Sequence, residues 1–418
     1  MRIFGRALIV IVALLTLCGL VPAPSAEAQG PGRTTPITIG VLAPLTGPFN
    51  SFARDIVDGA RLYLDDVNGE MARRKVELVV EDYAVKPDVA LTKARKLVER
   101  DRAQAMVGIV LSAAAIAIKD YVTAQKVPLI ISGFAAAESL TLQPNPYFFR
   151  ITYGAAMPPS PTANWVYKNL KARTAVLVGT DSVGPLELIL AFGRAFEKAG
   201  GKVVQEIYAP LGTTDFGPYI ARIRRDVDVV GTMIPGSDGV RFIKQFQEFG
   251  LTGKIPVVDV AVGFTDMTNL PAAGVAALGV YGVQPYIFTI DSPRNRKFVQ
   301  AFRAKFGREP GAPAEFTYDA MAAIDEAMKA TGGNIEDSAR FVEALAKTSL
   351  DTPRGRIRFD RFHNVIADMH MSRIEKVGDR IQPVVVETIH GVDQFLGMDP
   401  AEYLKQPRLI NLKGTFGK

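Results

Sequence analysis

The chain has 418 residues, which at about 100–200 residues per domain suggests two or three domains. Its composition, 48% hydrophobic and 22% charged, is that of a globular protein and excludes a disordered or fibrous chain. The formal net charge of +6 is spread along the sequence instead of being gathered in one block, so we expect no nucleic-acid partner. One Cys excludes an internal disulfide framework, and three His argue against a histidine-rich metal site.

The N-terminus has the parts of a secretory signal peptide. Two arginines precede an apolar stretch, 7–21, and Ala26-Glu27-Ala28 then supplies small residues at the two positions that signal peptidase reads. The apolar stretch falls short of the roughly 20 residues that span a membrane. We therefore predict a signal peptide, 1–28, and export to the periplasm. A lipid anchor on Cys18 is the alternative, although Leu17 stands where lipoprotein signals have a small residue.

Strand and helix patterns alternate along the rest of the chain. Apolar runs predict strands at 37–42, 75–80, 105–111, 127–131, 175–178, 203–208, 227–233 and 255–260. Helical spacing of apolar residues predicts helices between them, among others at 158–170, 184–199 and 216–225. Such β–α–β units indicate parallel sheets covered by helices on both faces. Because about a dozen strands would make an unusually wide single sheet, we predict two doubly wound α/β lobes with a first break near Arg150.

The motifs of common enzyme classes are absent from the sequence. The first strand continues as Gly40-Val41-Leu42-Ala43-Pro44, without the glycine pattern that binds dinucleotides. There is no G-x-S-x-G nucleophile elbow and no H-E-x-x-H zinc motif. His363, His370 and His390 have no carboxylate or Cys neighbours at ligand spacing, so we interpret them as surface or strand histidines. We expect a protein that is not an enzyme and needs no metal or organic cofactor.

Several segments together resemble the leucine/isoleucine/valine-binding protein family, the type I solute-binding proteins of ABC importers. The resemblance begins with Ile37–Pro48 (ITIGVLAPLTGP) and covers about 35–390. It continues through these segments: Asp58–Ala60, Asp66–Gly69, Val107-Gly108, Ser112, Val127–Gly133, Arg150–Thr152, Tyr318–Ala320 and Pro353–Asp360. Each motif alone is weak, whereas their order and spacing together are specific.

The resemblance implies the type I periplasmic binding fold, in which two Rossmann-like lobes are joined by three crossing strands and close on a ligand by hinge motion. The first lobe would comprise 36–150 plus 286–355, and the second 151–285 plus 356–390. Arg150–Thr152 would be the first crossing and Pro353–Gly355 the start of the third. A C-terminal extension, 391–418, lies beyond the usual core. The family also implies a monomer that docks on ABC transporter permease subunits.

Ser112 is the first candidate ligand contact. It follows the strand that ends at Leu111 and opens a helix, where an N-cap serine, exposed N–H groups and the helix dipole favour an anion. In the family the matching serine and adjacent amides hold the ligand's carboxylate; a plain helix cap is the alternative. In the next family loop, Phe134 and Ala135 offer a ring and backbone groups, but the family's threonine hydroxyl is missing at Ala136.

Other positions depart from the amino-acid binders of the family. Phe52 aligns with a pocket aromatic, although a place in the helix core is equally consistent with its spacing. Val183 replaces a tyrosine, and Pro235 lies where amino-acid binders place aromatics. The acidic residue that pairs with the ligand's ammonium has only Asp259 or Asp266 as nearby candidates. A buried ammonium without a carboxylate is too costly to accept.

We therefore predict a ligand with a carboxylate and an aromatic or apolar body, with ring contacts from Phe134, Phe264 and Phe52. A branched-chain or other aliphatic amino acid is the alternative and requires Asp259 or Asp266 to face the cleft. Amides or urea are a third possibility. A different class of function is an extracytoplasmic ligand-sensing module, but the sequence shows no output domain, which favours transport.

Overall fold

A computed structural model describes residues 35–417 of the chain, and the predicted signal peptide lies outside the described residues. Within this range the strands form two sheets, one of six and one of nine strands. The first sheet contains β1 (Ile37–Ala43), β2 (Glu70–Met71), β3 (Arg74–Asp82), β4 (Ala105–Gly108), β5 (Leu129–Ile131) and β6 (Phe148–Arg150). Its order is β2-β3-β1-β4-β5-β6, and every neighbouring pair except β2–β3 is parallel.

The second sheet combines a parallel half and an antiparallel half. Its strands are β7 (Thr174–Thr180), β8 (Lys202–Ala209), β9 (Val229–Met233), β10 (Val257–Asp259), β11 (Tyr281–Gln284), β12 (Ser349–Thr352), β13 (Gly355–Phe359), β14 (Val365–Val377) and β15 (Arg380–Val392). The parallel half has the order β8-β7-β9-β10-β11, which repeats the β3-β1-β4-β5-β6 order of the first sheet. The prediction of two doubly wound lobes is confirmed. The antiparallel half, β12 to β15, was not predicted.

Helices cover both sheets. They are α1 (Asn50–Asp66), α2 (Pro87–Arg95), α3 (Ser112–Ala124), α4 (Pro159–Asn169), α5 (Val183–Lys198), α6 (Gly217–Ala221), α7 (Gly236–Glu248), α8 (Leu270–Ala273), α9 (Pro293–Phe306), α10 (Ala312–Ala330), α11 (Ser338–Ala346) and α12 (Pro400–Leu404). The apolar face of α1 packs on α10, and a Cβ at Gly59 would lie 2.1 Å from the carbonyl oxygen of Ala314. Glycine therefore permits this close crossing, which returns the chain after β11 to the first lobe. None of the described helices is long and apolar enough to cross a membrane.

The segment that was expected to start the third crossing begins with a tight turn. Thr352 pairs with Gly355, so Pro353 and Arg354 form the turn of the β12–β13 hairpin, directly before β13. Gly355 has φ +105°, which an L side chain rarely adopts. The side chain of Arg354 is buried, and its Nη2 donates to the carbonyl of Ile151 in the first crossing, at 2.7 Å. The lobe boundaries at 150, 285 and 355 stay a prediction.

Candidate ligand-binding site

One cavity lies between the two lobes, at the carboxyl ends of their parallel strands, which is where open α/β sheets bind ligands. The residues that precede four helices all line it: Phe49 before α1, Leu111 before α3, Ser182 before α5 and Pro235 before α7. The other lining residues are Val110, Ser112, Phe134, Gly184, Pro185, Leu188, Leu211 and Met233. All the space between the atoms of these residues, gaps and open solvent included, adds up to about 390 Å³, so the closed cavity itself is much smaller.

The cavity offers backbone hydrogen-bond donors to an anion although no cationic side chain lines it. No side chain caps the first turn of α1, α3, α5 or α7 by a hydrogen bond. Within residues 35–417, the N–H groups of Ser112, Ala113, Val183 and Gly184 have no acceptor. Among the described lining residues there is no charged side chain. Four helix dipoles and unpaired N–H groups therefore favour an anion here, while apolar side chains form most of the wall.

Ser112 lies in the cavity, but it does not cap α3. The helix begins at Ser112 itself, and the preceding Leu111 holds the N-cap position with an extended backbone. The hydroxyl of Ser112 instead accepts a hydrogen bond from the N–H of Ala137, at 3.2 Å. Because the hydroxyl proton remains available, Ser112 can still donate to an anion in the cavity.

The backbone conformation of residues 108–111, which lead into Ser112, is fixed by local geometry and by Tyr83. Gly108 has φ +118° and Ile109 has φ +65°, and a Cβ at Gly108 would lie 2.4 Å from a backbone oxygen of β1. The hydroxyl of Tyr83 then accepts hydrogen bonds from the N–H groups of Val110 and Leu111, at 3.0 and 3.1 Å. These bonds turn the segment so that Ser112 and the first N–H groups of α3 face the cavity.

Phe134 forms one aromatic wall of the cavity, which Phe49 also lines. Its ring contacts Phe52 edge to face, with the ring centroids 4.6 Å apart, and Phe316 at 6.2 Å. Tyr153 lies tilted against it at 6.3 Å. Phe52 is fully buried behind this ring and does not line the cavity, so it supports Phe134 within the core. Such a packed ring offers a preformed surface for an aromatic ligand.

The loop after Phe134 is fixed through its carbonyl groups. Arg150, which is buried, donates through Nη1 to the carbonyl of Ala137 at 3.0 Å and weakly to that of Ala135 at 3.4 Å. Ala135 and Ala136 are buried beside the cavity without lining it. The backbone of this loop is thus oriented by an arginine, in a place where the family's threonine is missing.

The two lobes touch each other around the cavity. A Cβ at Gly184 would lie 2.6 Å from Oγ of Ser112, so a larger residue at this position of α5 would require that hydroxyl to move. The N–H of Ser237 donates to the carbonyl of Pro48 at 3.2 Å, and Oγ of Ser51 donates to Oδ1 of Asn269 at 3.1 Å. The structure therefore represents the lobes in a closed arrangement.

The two candidate partners for an ammonium group do not line the cavity. Asp259, at the end of β10, is fully buried, and its Oδ2 accepts from the N–H and hydroxyl of Thr265 at 3.1 and 2.8 Å. Burial raises its pKa to about 7. Asp266 accepts from the N–H groups of Thr268 and Ala312, both at 3.0 Å, and burial raises its pKa as well.

Four of the ten predicted site residues line the cavity: Leu111, Ser112, Phe134 and Pro235. Val183 is next to the lining residue Gly184, as the first residue of α5. Phe264 packs in the apolar core of the second lobe, where a Cβ at Gly239 would contact its ring at 3.2 Å, so it does not provide a cleft contact. Ser182 and Gly184, which follow the predicted strand 175–178, and Met233, the last residue of the predicted strand 227–233, were missed.

A larger depression lies on the outside of the molecule, between α1, α9 and α10. It contains about 950 Å³ of space, much of it open, and is lined by charged side chains such as Arg294, which pairs with Asp351 at 2.9 Å. It lies away from the carboxyl ends of the strands. The cavity at Ser112 is therefore the candidate site.

Two doubly wound lobes that close on an apolar, uncharged cavity define a solute-binding protein. The family profile of periplasmic binding proteins matches residues 36–379, and the chain belongs to this family. It is 29% identical over 350 residues to Leu/Ile/Val-binding protein homolog 6 of Brucella melitensis, covering 82% of this chain and 88% of that protein. Members of the family are substrate-binding proteins of ABC transporters and not enzymes.

Two solved structures are similar over most of their length. An ABC transporter substrate-binding protein from Sphaerobacter thermophilus has a TM-score of 0.80 and 35% identity, covering 86% of this chain and 99% of that one. A solute-binding protein of an ABC transporter from Rhodopseudomonas palustris BisB5, in complex with 3,4-dihydroxybenzoic acid, has a TM-score of 0.80 and 28% identity. The comparison covers 86% of this chain and 98% of that one.

Proposed function

We propose that the protein binds a small carboxylate with an aromatic or apolar body in the cavity at Ser112 and delivers it to the permease subunits of an ABC importer. The signal peptide would be removed after export, and the protein would then act in the periplasm. It would do so as a monomer. The observation that carries this proposal is the ring of four helix N-termini around an apolar cavity whose described lining contains no charged side chain. The solved relative from Rhodopseudomonas palustris, which contains a benzoic acid, supports the same ligand class.

In this site the helix N-termini would donate hydrogen bonds to the carboxylate of the ligand. The free N–H groups at the starts of α3 and α5 and the hydroxyl of Ser112 provide donors from both lobes. Phe134 would contact the ring, and Leu188 and Met233 would bury the remaining apolar surface. Because donors come from both lobes, the ligand would favour the closed arrangement over an open one.

A branched-chain amino acid is the second candidate, since the Brucella melitensis relative is a Leu/Ile/Val-binding protein homolog. Its ammonium group would need a carboxylate, and Asp259 and Asp266 accept hydrogen bonds from their own loops instead. An ammonium buried without a partner costs several kcal/mol. The geometry therefore favours an acid without an ammonium group. Amides or urea, and a role as a sensing module instead of a transport component, remain alternatives for the test.

A thermal-shift screen of residues 29–418, refolded to remove any bound ligand, tests the proposal. The panel contains benzoate, hydroxybenzoates, aliphatic acids, leucine, valine, an amide and urea. A ligand at about 1,000 times its dissociation constant stabilises the native state by about 4 kcal/mol, which raises the melting temperature by several degrees. A rise with aromatic acids alone supports the proposal. A rise with leucine or valine alone contradicts it.

A further inference from the structure

The C-terminal strap, residues 393–417, is packed on the second lobe. The side chains of Tyr403 and Leu409 are buried in a small apolar cluster with Ala191 of α5. Further along, the N–H groups of Gly414 and Phe416 donate to the carboxylate of Glu206 on β8, at 3.0 and 2.9 Å. The strap is therefore an ordered part of the fold and not a loose tail.

The same strap also binds the first lobe through Glu138. This carboxylate is 6% exposed and accepts a hydrogen bond from the hydroxyl of Tyr403 and another from the N–H of Leu409, both at 3.1 Å. A second link is made by Thr141, which donates to the side-chain oxygen of Gln394 at 2.7 Å. The strap thus forms a further connection between the two lobes.

Glu138 directly follows the ligand loop, residues 134–137, which contains the aromatic wall. Its N–H donates across the lobes to the carboxylate of Glu187 on α5, at 2.5 Å. The preceding N–H, that of Ala137, donates to Oγ of Ser112. Glu138 is therefore the point where the strap, α5 and the ligand loop meet.

We propose that the C-terminal strap is a positioning element for the cavity: by holding Glu138 at α5, it sets the ligand loop against Ser112 and stabilises the closed arrangement of the lobes. None of the residues that line the cavity belongs to the strap, so Tyr403 and Leu409 act through Glu138. The expected effect on affinity rests on the proposed function, whereas the effect on closure does not.

Tyr403→Phe is the informative variant, because it removes the hydroxyl donor and keeps the ring in its apolar cluster. Leu404→Ala is the matched control, since Leu404 is the next residue of α12 and is 45% exposed. Closure is measured without ligand by a disulfide trap, Ser51→Cys with Asn269→Cys, at two side chains that meet across the lobes at 3.1 Å. Residues 29–418 contain no native Cys, so the trap has no background.

We expect Tyr403→Phe to form the trapping disulfide about tenfold less readily than Leu404→Ala in the same redox buffer, because a buried carboxylate loses a donor. We expect the dissociation constant for benzoate to rise by a similar factor. A lower melting temperature with trapping equal to that of the control would overturn the proposal, because the strap would then only add stability. If benzoate binds neither protein while trapping differs as expected, the ligand class is wrong and the role of the strap stands.

Small-angle scattering of the same two variants without the introduced cysteines gives an independent reading of closure. A larger radius of gyration for Tyr403→Phe than for Leu404→Ala supports the proposal, and equal radii contradict it. Both substitutions leave the apolar core intact, so the comparison does not depend on a variant that fails to fold.

Discussion

Gly184→Ala tests the closed arrangement directly. The added Cβ would lie 2.6 Å from Oγ of Ser112 on the opposite lobe but 3.4 Å from its Cβ, which is an ordinary contact. The clash therefore involves only the hydroxyl, which must rotate away from the N–H of Ala137 or hold the lobes apart. Overpacking of this kind costs about 1–3 kcal/mol, so we expect ligand affinity to fall about 5- to 150-fold.

The same substitution should not destabilise the free protein. Gly184 is the second residue of α5, and alanine is favoured over glycine in a helix by up to about 1 kcal/mol. Because the lobes can separate without unfolding, the melting temperature without ligand should stay unchanged or rise. A loss of affinity together with unchanged stability distinguishes blocked closure from a damaged fold.

A double-mutant cycle supplies the decisive comparison. Ser112→Ala removes the hydroxyl that would clash with the new Cβ, so Gly184→Ala should cost much less in that background. Isothermal titration with the acid that gives the largest thermal shift would be done on the wild type, both single variants and the double variant. We expect a coupling of about 1 kcal/mol or more. If the two losses simply add, the contact between Ser112 and Gly184 does not form in the closed state and the reasoning is refuted.

Three further predictions concern the wall and the buried groups. Phe134→Leu should lower affinity for aromatic acids more than for aliphatic acids, as compared by titration, because the aromatic ring that lines the cavity is lost. Tyr83→Phe should lower the free energy of unfolding, measured by urea denaturation, by at least about 1 kcal/mol, because the buried N–H groups of Val110 and Leu111 would lose their acceptor. Burial raises the pKa of Asp259 to about 7, so ionisation of this carboxyl group opposes folding. A contribution to the free energy of unfolding that is fully present below about pH 4 is therefore lost as the pH rises to 7, by up to about 4 kcal/mol. Asp259→Asn should flatten this dependence of stability on pH, as measured by urea unfolding at several pH values.

The sequence predicted the lobes well because their strands are near-continuous apolar runs. The strand predicted at 37–42 extends one residue further in the structure, to Ala43, and the strand predicted at 175–178 is Thr174–Thr180. Such differences at the ends of elements are ordinary. The β14–β15 ribbon was missed because its strands carry polar residues on an exposed face, and Pro383 lies within β15. The crossing at Pro353–Gly355 was inferred from the family resemblance, and the β12–β13 hairpin, which turns at Pro353 and Arg354, was not predicted.

The site was predicted less completely than the fold, for a physical reason. Ser112 was found because it follows an apolar strand and matches the family's ligand-binding serine, although Leu111 takes the expected N-cap position. Gly184 was not chosen because its importance depends on Ser112 in the other lobe, 72 positions away in the sequence. Phe264 was overestimated, since nothing in its own segment distinguishes a core phenylalanine from a cleft phenylalanine. Contacts between lobes are properties of the closed structure and leave little trace in local sequence.

The choice between an acid and an amino acid depends on where the negative charges lie. Asp259 stands at the end of β10, and its Oδ1 has no hydrogen-bond partner within the described residues. A Cβ at Gly263 would lie 2.4 Å from this oxygen, so the backbone of the following loop covers it. To meet an ammonium group through this oxygen, Asp259 would have to displace that loop. A carboxylate needs no such rearrangement, because the helix N-termini already face the cavity. The rearrangement cost therefore favours acids over amino acids, even though both share the carboxylate.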